Sequence, residues 1–175
     1  MGDFWVFGYG SLIWNPGFDL IERKRARLHG LHRALCIRSW VHRGTRENPG
    51  LVLGLDSGGS CNGIAMRVSG NNRDAVIDYL RARELVTSVY LETWRPVHLD
   101  DGTRVSALVY RADRTHPQYA KGISVDEQTR IVRQSTGGSG PNDEYVKQTV
   151  AAMLEHGIRD HVLEEIARNL DRGTF

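Results

Sequence analysis

The residues of this chain whose types and spacing could carry chemistry are two glutamates, a serine beside glycines, and several histidines. Glu84 extends the apolar stripe begun by Ile77 and Leu80. A helix packing that stripe on a sheet places the carboxyl at the edge of an apolar cavity. Desolvation there favours the neutral form and raises the pKa, which suits a group that takes up and returns a proton near pH 7. The same position also allows Glu84 to end its helix as an ion-pair partner of Arg81 or Arg83. Glu92 is a rival, because Tyr90, Glu92 and Trp94 share one face of a strand.

Other familiar sites fail on spacing. Ser11 lacks the glycines of Gly-x-Ser-x-Gly, since Tyr9 and Ile13 stand in their places. Gly8-x-Gly10 has Ile13 where a dinucleotide loop has its third glycine, and Gly137-Gly138-Ser139-Gly140 runs into Pro141-Asn142 without the Lys-Ser/Thr of a phosphate loop. His29 and His32, with Cys36 and His42 farther on, suggest a metal only until strand geometry is considered. A spacing of three sends their side chains to opposite faces, so structural or surface roles are expected.

Trp5-Val6-Phe7 reads as a strand that ends in the loop Gly8-Tyr9-Gly10-Ser11. Further strands are expected over 25–31, 34–38, 51–55, 63–68, 88–98 and 104–111. They are divided by Gly30, Asn48-Pro49-Gly50, Gly58-Gly59 and the hairpin signal Asp101-Gly102. Val76, Ile77, Leu80 and Glu84 predict a helix after Asn71-Asn72. Ser124 and Glu127 have capping-box spacing at the start of a helix over 123–134, and another helix is expected over 141–156, stopped by Gly157. Asp160 is placed to cap a last helix carrying Val162, Leu163, Ile166, Ala167 and Leu170, before a loose tail over 171–175. Strands, one inserted helix, more strands and then helices predict an α+β domain with an antiparallel, barrel-like sheet.

The 175 residues suit a single domain over 1–175 with its core at about 4–170, and neither a repeat nor a linker divides them. Hydrophobic residues at 40%, charged residues at 25% and a mean hydropathy of −0.41 describe a folded chain rather than a disordered one. The start, 1–11, has no secretory pattern and no run reaches bilayer length, so a cytoplasmic protein without membrane contact is expected. Two cysteines, Cys36 and Cys61, are too few for a disulfide scaffold. A net charge of +2 exerts little pull on nucleic acid, and none is expected as a partner. Between Glu22 and Arg46, Glu22 is the only acid among Arg23, Lys24, Arg25, Arg27, Arg33, Arg38, Arg43 and Arg46. A solvated strand face accounts for that run, the competing reading being an anion or nucleic-acid surface with Trp40 as a stacking ring.

Four segments read together go further: Phe7-Gly8-Tyr9-Gly10-Ser11-Leu12-Ile13-Trp14, His42-Arg43-Gly44-Thr45 with Pro49-Gly50, Tyr79-Leu80-Arg81-Ala82-Arg83-Glu84, and Gly138-Ser139-Gly140-Pro141-Asn142-Asp143-Glu144-Tyr145. In this order they resemble the ChaC family of γ-glutamylcyclotransferases, over about 4–170. One departure is Ser88, where family members often carry a glycine two residues before a tyrosine, here Tyr90. The resemblance implies a small mixed β-barrel with flanking helices. It implies cleavage of the small molecule glutathione to 5-oxoproline and cysteinylglycine without a metal or organic cofactor. It implies that Tyr9, Gly10, Ser11 and Leu12 hold the γ-glutamyl group, that Glu84 is the catalytic acid/base, and that Tyr145 closes over the substrate. The alternatives are a cyclotransferase for another γ-glutamyl amide and a binding domain for a γ-glutamyl-type carboxylate. The chemistry suits these residue types, because the substrate's own amine is the nucleophile and one carboxyl group can make both proton transfers.

Overall fold

The computed structural model describes residues 2–173. Twelve elements follow in order: β1 Phe4–Gly8, α1 Ser11–Trp14, β2 Glu22–Ser39, β3 Gly50–Val68, α2 Arg73–Glu84, β4 Tyr90–Leu99, β5 Arg104–Ala112, α3 Val125–Gln134, β6 Thr136–Gly137, β7 Gly140–Pro141, α4 Asn142–Glu155 and α5 His161–Asp171. The contacts divide the chain into two compact units. One runs up to Ala34 and resumes over Gly54–Pro117; the other takes Leu35–Leu53 and everything described from Gln118 onward.

A closed barrel of order β1-β3-β2-β4-β5 is built on the first unit, with β1, β4, β5 and the greater parts of β2 and β3 inside it. β1 is antiparallel to β3, from Phe4↔Val68 to Gly8↔Ile64, and parallel to β5 at Trp5↔Ala107 and Val6↔Leu108, so the sheet is mixed rather than purely antiparallel. β4 and β5 form a long hairpin from Tyr90↔Ala112 to His98↔Arg104, turned at Asp101-Gly102 as the dipeptide predicts. Val6, Leu28, Ile64, Met66, Val97 and Leu108 are fully buried, and Phe7, on the opposite face of β1 from Val6, is buried as well. On β2, exposed Arg23, Arg25 and Arg27 alternate with buried Ala26 and Leu28, the period-two pattern of a half-solvated strand.

Two expected breaks are absent. β2 continues through Gly30 and β3 through Gly58-Gly59, where the glycines adopt φ of +85°, +98° and +67°. Glycine takes that left-handed conformation without a Cβ clash, so each strand can pass through these positions. Strand β4 starts at Tyr90, because Ser88 sits at φ +60° and cannot continue an extended segment. The glycine loop leads into a helix of one turn, α1, rather than remaining a loop.

α2 follows a 3₁₀ turn at Gly70–Asn72 and buries Val76 and Leu80. Asp74 in its first turn and Arg81 and Arg83 in its last match the helix dipole.

In the second unit, α3, α4 and α5 pack on one another. Ser124 caps α3 by accepting from the Glu127 N–H, but the reciprocal half of the capping box is missing because the Glu127 carboxylate binds Arg130 instead. Asp160 caps α5 through the Leu163 N–H. Val162, expected on the apolar face of the last helix, is exposed, as is Leu154 on α4. α5 reaches Asp171, which shortens the expected tail, and residues 174 and 175 of that tail lie outside the described residues. No helix among the described residues is long and apolar enough to cross a membrane.

Candidate active site

Glu84 is the last residue of α2, one turn beyond buried Leu80, so the stripe that docks the helix also carries the carboxyl inward. The side chain keeps 16% of its surface open. Burial pushes its pKa above the ordinary glutamate range, and the neighbouring Arg83 charge works in the opposite direction. A carboxylate at a helix C-terminus also faces the negative end of the dipole, which adds to the upward shift. The outcome is a carboxyl group that is both reachable and reluctant to ionise.

Arg83 links this acid to the glycine loop. Its Nε lies 3.4 Å from Glu84 Oε1, and its Nη2 donates to Ser11 Oγ at 2.9 Å. Its Nη1 donates to the Asn15 and Pro16 carbonyls and to the Tyr79 hydroxyl. Arg33 braces the same segment by donating to the Tyr9 carbonyl at 2.6 Å, and Arg23 does so at the Ile13 carbonyl. Three arginines therefore hold the backbone around Gly10, while Leu12 and Ile13 anchor it in the core. Tyr9 is itself buried and Ser11 half-buried. The structure thus brings Tyr9, Gly10, Ser11, Leu12 and Glu84 into one unit and joins Ser11 to Glu84 through a single guanidinium.

Of the two ion-pair partners open to Glu84 in the sequence, Arg83 is the neighbour. Arg81 instead holds Glu92 through two bonds of 2.9 Å. The Tyr110 hydroxyl donates to the same Glu92 carboxylate at 3.0 Å. These bonds, Arg81 foremost, lower the Glu92 pKa despite partial burial. Tyr110 is pushed far above the ordinary tyrosine range, first by burial and then by its bond to Glu92, with the Glu84 charge contributing.

Tyr145 lies in the second unit on α4, 7% exposed, and its phenol oxygen accepts from the Leu53 N–H at 3.0 Å. Asn142 grips the same strand by accepting from the Leu51 N–H and donating to the Leu51 carbonyl. The Asn-x-Glu-Tyr motif thus docks the start of α4 on the edge of β3. The histidines have local partners: the His29 ring packs edge-on against His98, His32 meets the Gly58 carbonyl, and His42 meets Ser139. Among the described residues no group of three or more His, Cys, Asp or Glu is arranged to hold a metal.

In the sequence Arg83 stands only as a helix-end partner and Arg33 only as one charge of a solvated face, and nothing there singles out Tyr110. The available signal for Arg83 was its position directly before the acid, but its partner Ser11 is remote in the chain.

The family model of ChaC-like proteins matches residues 4–172. The chain belongs to this family. It is 34% identical over 165 residues to the glutathione-specific gamma-glutamylcyclotransferase of Escherichia coli, covering 94% of this chain and 71% of that one. It is 35% identical over 147 residues to the glutathione-specific gamma-glutamylcyclotransferase 1 of Danio rerio, covering 81% and 74%. Its fold is similar to the crystal structure of a yeast gamma-glutamyl cyclotransferase specific to glutathione, with a TM-score of 0.89, 23% identity, and 98% and 97% of the two chains covered. The mixed barrel with flanking helices is therefore the ChaC architecture, and Ser88, the departure from the expected motif noted in the sequence, takes a glycine-like backbone angle.

Proposed function

We propose that this chain is a glutathione-degrading γ-glutamylcyclotransferase in which Glu84 is the general acid/base. The observation that carries the reading is the pairing of a desolvated, partly open carboxyl with a glycine loop braced through Arg83 and Ser11. Relatives named for that activity over most of their length support the substrate, a small γ-glutamyl peptide.

In this reading Tyr9, Gly10, Ser11 and Leu12 hold the γ-glutamyl group. Gly10 leaves room for the backbone to approach the ligand, and the Ser11 oxygen, already accepting from Arg83, retains its own proton to donate. The Glu84 carboxylate takes a proton from the substrate α-ammonium. The freed amine attacks the γ-carbonyl carbon, a C–N bond forms and the carbonyl oxygen becomes an oxyanion. Glu84 then returns its proton to the cysteinyl nitrogen, whose bond to the γ-carbon breaks. The second proton of the attacking nitrogen follows the same route, so the lactam of 5-oxoproline and the ammonium of cysteinylglycine form with Glu84 ending as it began. No enzyme nucleophile is needed, because closing a five-membered ring within a bent substrate is equivalent to roughly 10⁵ M or more of added reactant. Tyr145 is assigned to the substrate by its motif, with its ring fixed through Leu53.

Incubating purified protein with glutathione and identifying the products tests the reading. Equal amounts of 5-oxoproline and cysteinylglycine are expected. Turnover of other γ-glutamyl amides in preference to glutathione would move the substrate within the class, and tight retention of uncleaved glutathione would replace the enzyme by a binding domain.

A further inference from the structure

Three arginines grip the glycine loop and its continuation through backbone carbonyls, and they do not act on it alike. Arg23 takes the Ile13 carbonyl, and Arg83 takes those of Asn15 and Pro16. The peptide of Ile13 has its N–H on Trp14, inside α1. That of Asn15 has none, because Pro16 follows, and that of Pro16 has its N–H on Gly17, beyond the helix. Arg33 takes the Tyr9 carbonyl, whose peptide carries the Gly10 N–H within the loop itself. Among the described residues no acceptor takes that N–H, although Gly10 is buried. A buried backbone donor ordinarily has a partner, and one held open in a ligand loop is left for the ligand.

The bond from Arg33 Nε to the Tyr9 carbonyl is 2.6 Å, short for an N–H···O contact, and its donor is charged. Nη2, on the same edge of the guanidinium, donates to the Asn62 carbonyl. Both carbonyls lie within reach because the backbones pass closely here. A Cβ on Gly63 would lie 2.5 Å from the Gly8 carbonyl oxygen and 2.7 Å from Phe7 Cζ. Arg25 and Arg27 of the same strand are exposed and face the side chains of Asp100 and Ser60, whereas Arg33 is half-buried and spends this edge on backbone. All the groups that meet at Gly10 belong to the first unit. A cation on a carbonyl oxygen draws electron density from the nitrogen through amide resonance, so the N–H at the other end of the peptide becomes a stronger donor. Such a donor is fixed before the reaction begins and has no reorganisation to undergo when charge develops.

We propose that Arg33 is a positioning residue for the γ-glutamyl group: it polarises the Tyr9–Gly10 peptide, and the Gly10 N–H so strengthened donates to an oxygen of the substrate that bears or develops negative charge. The identity of the ligand rests on the cyclotransferase reading. Two oxygens answer to that chemistry. The α-carboxylate is charged throughout, and the γ-carbonyl oxygen becomes charged only as the ring closes, so kinetics separate them.

The Gly10 amide is read directly by proton–nitrogen NMR on Glu84→Gln protein, so that glutathione is not consumed. Added glutathione moves the Gly10 proton downfield. With Arg33→Gln the Gly10 nitrogen of the free protein lies upfield and the response to ligand shrinks, while Arg33→Lys, which keeps a charged donor, restores much of both. In enzyme with Glu84 intact, Arg33→Gln lowers kcat/KM by about 10- to 10²-fold, and Arg33→Lys by less. A loss carried by kcat gives the N–H to the oxyanion, and one carried by KM gives it to the α-carboxylate. A Gly10 amide that glutathione leaves in place would overturn the proposal, and this arm needs no substitution at Arg33. A Gly10 resonance indifferent to Arg33→Gln would overturn it equally, as would Arg33→Lys behaving no better than Arg33→Gln, the mark of a brace that acts by shape alone. A Gly10 response that depends on Arg33, without 5-oxoproline release by the wild type, would keep the polarised donor and discard the cyclisation.

Discussion

Glu84 at the end of α2 and Glu92 on β4 are carboxylates of neighbouring elements in one unit, and their surroundings send them in opposite directions. Glu92 receives two bonds from Arg81 and one from Tyr110, and its charged form is stabilised. Glu84 has Arg83 at 3.4 Å and is otherwise dominated by desolvation, so its charged form is disfavoured. The contrast separates a carboxylate that holds structure from one that can exchange a proton. Arg83 sharpens it, because its two terminal nitrogens are committed to Ser11, to the Asn15 and Pro16 carbonyls and to the Tyr79 hydroxyl, which leaves only Nε beside Glu84.

The largest effect expected from breaking this contrast is on turnover. Glu84→Gln should lower 5-oxoproline release by on the order of 10² to 10⁴ while substrate binding, measured by calorimetry, persists. The same substitution should raise the melting temperature at neutral pH. A carboxyl whose pKa is raised by folding favours the folded state below its unfolded value and loses that contribution as pH rises through the folded value. The gain should therefore shrink as the pH is lowered.

Arg83→Gln should cost less in turnover, about 10- to 10²-fold, through the loosened loop. Its distinguishing mark is the pH profile. Arg83 holds the Glu84 pKa down, so its removal should move the acid limb of kcat/KM to higher pH. An unmoved limb would make Arg83 a loop brace without electrostatic consequence.

Ser11→Ala should raise KM by roughly tenfold, the weight of one hydrogen bond to a charged group, and leave kcat largely intact. A covalent adduct trapped on Ser11 in the parent protein would contradict this role. Glu92→Gln has the smallest expected effect on rate, within a few-fold. It should lower stability by about 1 to 2 kcal/mol in a denaturant titration, since Arg81 loses its ion pair and Tyr110 its charged acceptor. That loss should disappear as pH falls through the lowered pKa of Glu92.

The stripe of Ile77 and Leu80 put Glu84 on a helix because helical periodicity survives in a single sequence, although Val76 and not Ile77 is the residue buried with Leu80; Asp160 and Ser124 were readable because capping is local. Gly30 and Gly58-Gly59 read as breaks because the same residue serves a turn and a left-handed position within a strand. Only the partner strand tells them apart. The one-turn helix α1 is too short for periodicity to show. The bonds of Arg83 to Ser11 and of Arg33 to the Tyr9 carbonyl are illegible for another reason: these partners in the glycine loop are remote in sequence, and no pattern within either segment records them. The same applies to Asn142 and Tyr145, which read as a substrate motif and also hold α4 to Leu51 and Leu53.

The most direct measurement is the titration of the Glu84 carboxyl carbon by NMR, set beside the acid limb of kcat/KM for glutathione. One desolvated carboxyl carrying both proton transfers predicts a single transition above the usual glutamate range of about 4.3, at the same pH in both experiments once binding is corrected for. A Glu84 carbon that titrates at or below that range, or an acid limb that stays in place when the Glu84 transition is moved by Arg83→Gln, would contradict the account.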